Sequence, residues 1–157
     1  MESVVREAKR LAEAGVKELV VVAQDTSRYG KDLYGRPVLS KLLYELDKIE
    51  GIEWIRVMYL YSDEIASELI TAMRECKKVV PYVDLPLQHI NGRILKSMNR
   101  RGTPEDIKTV LKSFRQELPG CVIRTSVIVG FPGETDEEFE ELLEFVKDVR
   151  FDRLGAF

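Results

Sequence analysis

Four short runs rich in β-branched residues and the start of a fifth run, each separated from the next by a stretch of helical periodicity, constrain this chain more than any other feature. The runs are 18–23 (ELVVVA), 54–60 (WIRVMYL), 79–85 (VVPYVDL), 121–129 (CVIRTSVIV) and a fifth that opens at RLGAF. Between them apolar residues recur three and four apart: Val4, Val5, Ala8, Leu11 and Ala12 before Gly15, then Val38 to Ile49, then Ile65, Ala66, Leu69, Ile70 and Met73. Ile107, Val110, Leu111 and Phe114 repeat the pattern, as do Phe139, Leu142, Leu143 and Val146. The order α(βα)₄β predicts a parallel sheet with right-handed crossovers. The continuous apolar run at 18–23 predicts a strand covered on both faces. Two architectures satisfy this order, an open doubly wound sheet and part of a (β/α) barrel. Neither GxGxxG nor GxxxxGK[ST] occurs, which weighs against a nucleotide-binding Rossmann sheet.

Punctuation follows the same frame. Thr103 with Pro104 at the first helical position, and Thr135 with Glu138, mark helix starts. Ser62 or Asp63 is expected to cap the helix before Cys76, and Asn91-Gly92 reads as a turn. Segment 24–37 (QDTSRYGKDLYGRP) is long for a connection, a hint of function. The 157 residues suit one domain spanning 1–157, and the net charge of -3 gives no basic field for nucleic acid. No apolar run approaches a membrane span, and the charged amphipathic start is no signal peptide, so a cytoplasmic location is expected. Cys76 and Cys121 form no cluster and read as separate core thiols, so no metal ligands are assigned.

In parallel βα folds ligands gather at the carboxyl ends of the strands. That rule selects Gln24 and Asp25, then Tyr61 to Asp63, then Pro86 to His89, then Gly130 to Glu134, and Phe157. Asp25 could hold an ammonium group or simply cap a turn. His89 is one histidine, and such residues are more often structural than catalytic. Arg124 inside a strand requires a ligand, an edge position, or an ion pair with Asp84 or Asp25. Arg100-Arg101 reads as a solvated basic spot, with contact to RNA or an acidic substrate as the alternative.

The segments VVVAQDTSRYG, DLPLQHINGRILKSMNRRG, IRTSVIVGFPGETDEEFEELLEFV and FDRLGAF together resemble the radical-SAM domain of the RimO-type methylthiotransferases. The resemblance implies an incomplete (β/α)₆ barrel running from the first helix to the sixth strand. It implies S-adenosylmethionine and two [4Fe–4S] clusters as cofactors, and an aspartate of a small-subunit ribosomal protein as the methylthiolated substrate. By position it places Gln24 and Asp25 at the amino group of S-adenosylmethionine and Gln88 and His89 near its ribose. Gly130, Phe131, Glu134 and Phe157 would border the adenine, and Arg124 would point into the barrel. The chain departs from the family where chemistry begins: the CxxxCxxC motif that holds a cluster is absent, as are the flanking cysteine-bearing and TRAM domains. The expectation is therefore a slice of a larger enzyme, with no cluster and no turnover of its own. The alternatives are a tRNA methylthiotransferase of the MiaB type, a cluster-free βα-barrel enzyme, and a non-catalytic scaffold.

Overall fold

The computed structural model describes residues 1–157. Five strands alternate with helices: β1 (Glu18–Val21), β2 (Trp54–Val57), β3 (Tyr82–Asp84), β4 (Val122–Val127) and β5 (Arg153–Ala156). The principal helices are α1 (Glu2–Glu13), α3 (Leu39–Asp47), α4 (Ser67–Glu75), α6 (Pro104–Glu117) and α7 (Asp136–Val149), with short α2 (Lys31–Tyr34) and α5 (Gly92–Ser97). All strand pairs are parallel: β1 with β2, β3 with β4, and β4 with β5. β2 meets β3 where Ile55 N donates to Lys78 O (2.7 Å), Val80 N to Ile55 O (3.0 Å) and Leu60 N to Asp84 O (2.9 Å). Spatial order thus equals chain order. A doubly wound sheet must reverse direction once, and this one never does, so the architecture is part of a barrel.

Alternation along each strand sorts two faces. Leu19, Ile55, Val57, Val83, Ile123 and Val127 are buried against the helices in one core of 31 residues. That core also takes in Phe114 of α6 and Leu142 and Phe145 of α7. The intervening residues Glu18, Val20, Trp54, Arg56, Tyr82, Asp84, Arg124 and Arg153 share the concave face by register. The expectation that the first strand is covered on both sides is corrected here, because Val20 and Val22 are 52% and 59% exposed. Charge lines much of the concave face: Arg56 pairs with Glu18 at 2.7 Å and lies over the Tyr82 ring, 4.8 Å from its centroid.

The helix starts divide by how local their signal is. Thr103 with Asp106 and Thr135 with Glu138 form reciprocal capping boxes. Arg93 also binds Glu138, and that guanidinium pulls the carboxyl down to about 2. Ser62 and Asp63, expected as caps, instead lie in a 3-10 turn, and α4 starts at Ser67 after an extended Ile65. Glu64, drawn to Lys31 (2.5 Å) and Arg28 (3.6 Å), holds that turn away from the helix. Asn91, expected in a turn, caps α5, its side chain accepting from Arg93 N and Ile94 N. The long segment after β1 folds into a 3-10 turn and α2, entered through Gly30 at φ 79°. A β-carbon there would also sit 2.5 Å from Val38 Cγ2, so only glycine fits.

Candidate functional site

The carboxyl tips of the strands carry three linked groups of polar residues. The first centres on β3 and β4. Arg124 Nη1 donates to Asp84 Oδ1 at 2.7 Å, which settles its partner as Asp84 rather than Asp25. Asp84 is 1% exposed, and its second oxygen accepts from the backbone N of Tyr59 at 3.1 Å. Tyr59 caps β2 with φ 58°, and its O accepts from Thr26 N at 3.0 Å. Gln88, at φ 72°, is tied to β4 through its N to Ser126 O (2.8 Å) and its Nε2 to Ser126 Oγ (3.4 Å). Two non-glycine residues in left-handed conformation at neighbouring strand tips mark a place where packing overrides local preference.

The second group is the loop after β4. Gly130 turns the chain at φ 69° with nothing within 4 Å of a would-be β-carbon. Glu134 folds back, one oxygen accepting from Phe131 N at 2.8 Å and the other meeting His89 Nε2 at 3.3 Å. His89 Nδ1 accepts from Asn91 N at 3.0 Å, which places the ring proton on Nε2, donating to Glu134. Both side chains are buried, His89 at 0% and Glu134 at 4% exposure. Their polar atoms are spent on each other and on backbone, so what they do here is hold the loop. Beside it Phe157 extends β5, its N donating to Val127 O (3.0 Å) and its O accepting from Val129 N (2.9 Å). The Phe157 ring is 78% exposed, and Val129 beside it is 40% exposed.

The third group belongs to β1 and β2. Arg101 reaches Asp25 (3.4 Å), Asp63 (3.4 Å) and Glu64 (3.9 Å). Asp25 also accepts from Ser27 Oγ, so its carboxylate is already engaged, while Gln24 lies exposed beside it. Arg100 donates to Pro86 O and stacks 4.6 Å over Tyr61. Arg101 is solvated as read, its side chain 48% exposed, but both guanidiniums also tie the strand-tip loops together. Tyr59 was not selected from sequence, and Asp84 and Arg101 were named there only as a possible partner for Arg124 and as part of a basic spot.

The cysteines sit at the other end of the strands. Cys76 follows α4 and Cys121 precedes β4, each 3% exposed, and burial pushes both thiols up to about 11. A cluster needs thiolates grouped at the strand tips, and these two do not fit it. We expect neither thiol to react with a disulfide reagent at pH 8 while the chain is folded. Replacing both with alanine should leave bound iron unchanged after reconstitution; a fall in iron content would make them ligands.

The Radical SAM superfamily pattern matches residues 1–146. The chain belongs to the Radical SAM superfamily. It is 53% identical over 156 residues to the ribosomal protein uS12 methylthiotransferase RimO of Clostridioides difficile (strain 630), covering 99% of this chain and 35% of that protein. The chain therefore spans about a third of the length of that curated relative. Among solved structures it superposes on the radical S-adenosylmethionine methyltransferase TsrM of Kitasatospora setae, which holds cobalamin and a [4Fe-4S] cluster. That match has a TM-score of 0.76 at 17% identity and covers 99% of this chain and 30% of TsrM. Coproporphyrinogen III oxidase HemN from Escherichia coli superposes with a TM-score of 0.75 at 20% identity, covering 99% of this chain and 36% of HemN. Those likenesses support the partial Radical SAM barrel. No helix is long and apolar enough to cross a membrane.

Proposed function

We propose that this chain is barrel from a RimO-type enzyme, which methylthiolates an aspartate of ribosomal protein uS12 with S-adenosylmethionine and two [4Fe–4S] clusters. The observation that carries the reading is the 53% identity to RimO across 99% of the chain. The strand tips suit the nucleoside half of S-adenosylmethionine: an exposed Phe157 ring beside Val129, and an open backbone at Gly130. Phe131, held by Glu134 and His89, would keep that loop in place. Gln88 and Gln24 offer amides toward ribose and amino group. S-adenosylmethionine would supply the reactive chemistry when bound, and these residues would seat it.

The test uses the protein carrying this chain, reconstituted anaerobically with iron and sulfide and supplied with S-adenosylmethionine and uS12. Mass spectrometry should find a methylthio group replacing hydrogen on one uS12 aspartate. Modification of tRNA in place of uS12 would transfer the chain to the MiaB type, and modification of neither would sink the reading.

A further inference from the structure

The concave face carries a charge that its own sheet leaves uncompensated. Glu18 is matched by Arg56 and Asp84 by Arg124, each at 2.7 Å. Arg153 has no carboxylate: its Nη1 donates only to the backbone O of Asp152, at 3.2 Å. The neighbouring acid, Asp152, is committed to Arg115 (2.9 Å) and to the N of Ile123 (2.9 Å). Arg153 is also the register partner of Arg124 on the adjacent strand. Like charges directly opposite one another on a sheet are destabilising, and here only one of the two has a counter-charge.

The row above this pair is small. Ser126 faces Gly155 in register, and the Phe157 ring folds back so that a β-carbon on Gly155 would lie 3.4 Å from its Cε2. Two arginines are therefore register partners on this face, and the next row toward the strand tips offers a hydroxyl, a glycine and the Phe157 ring. Guanidinium nitrogens present parallel donors that match a carboxylate.

We propose that Arg124 and Arg153 form a carboxylate-binding subsite on the concave face, whose ligand is the side-chain carboxylate of an acidic peptide. The identity of that peptide rests on the reading above, in which the substrate residue is an aspartate. The other source of the same chemistry is the carboxylate of S-adenosylmethionine itself.

The experiment reads ligand contact without turnover. The reconstituted protein carrying this chain is treated with phenylglyoxal, which modifies free guanidiniums, and the adduct on Arg153 is followed by peptide mass spectrometry. A uS12 peptide spanning the target aspartate should slow that adduct about tenfold at saturation, while its asparagine twin does not. An Arg153→Gln variant should bind the aspartate peptide about tenfold more weakly. Arg153 is exposed, so folding should survive this change. Protection by S-adenosylmethionine alone, with neither peptide effective, keeps the subsite but assigns it to the cofactor. Equal adduct rates under all three ligands overturn the proposal. Failure of the function reading looks different, since unmodified uS12 in the turnover assay tests that reading whatever happens at Arg153.

Discussion

Replacing Arg124 with methionine is expected to cost about 3 kcal/mol of folding stability, read as a lower urea midpoint with an unchanged slope. The cost arises at its partner. Asp84 is 1% exposed, and without the guanidinium its carboxylate keeps a single hydrogen bond, from Tyr59 N. Breaking a buried ion pair from one side typically costs about 3–5 kcal/mol. The lower end applies because the Arg124 side chain is 46% exposed, so water can reach the remaining charge. Adding Asp84→Asn should return most of the loss, since a neutral amide can still accept from Tyr59 N and leaves no buried charge. If Arg124→Met costs under about 1 kcal/mol, or the second change deepens the loss, Asp84 is not held as a charged partner. The prediction also bears on the strand tips, because Asp84, with Thr26 N, holds the backbone of Tyr59 in its left-handed conformation.

What the sequence disclosed follows the range of the forces involved. The cap at Thr103 and the capping box at Thr135 are settled within three residues and stand as read, and Asp106 completes a second box at Thr103. The five strands stand too: in the first four, β-branched runs report burial on at least one face, while the fifth, RLGA, has no buried residue and is held by its ladder to β4. The second face of β1 was misread, since a run such as LVVV looks the same whether its concave side meets other strands or lies open. The expected cap at Ser62 or Asp63 failed because a contact 33 residues away, Lys31 to Glu64, competes with the local preference. The site behaves in the same way. Arg124 announced a need for a partner, and Asp84, 40 positions earlier, was one of the two candidates the sequence offered. Nothing in the sequence showed that His89 and Glu134, 45 positions apart, would satisfy each other. Resemblance placed both near a ligand, and the structure adds that they bond to each other.

The pairing of His89 and Glu134 leads to the second large effect. His89→Phe keeps an aromatic ring, though a larger one, and sets it against a carboxylate that is 4% exposed and keeps one donor, Phe131 N. Asn91 N loses its acceptor at the same time, which loosens the cap of α5. We expect a loss of about 3–4 kcal/mol, close to that for stranding a buried charge. Glu134→Gln should cost far less, about 1 kcal/mol, because the amide oxygen can still accept from Phe131 N. Hydrogen exchange gives the local readout: in His89→Phe the amide of Phe131 should exchange faster than those of β4, whose ladder to β3 is untouched. A uniform rise across both would mean global destabilisation with no special role for the loop, and a silent His89→Phe would show that Glu134 needs no imidazole. The pair matters to function through geometry. Gly130 to Glu134 closes the tip of β4 next to Phe157, so a loop freed from His89 would lose the surface proposed for the nucleoside while the helices behind it stay folded.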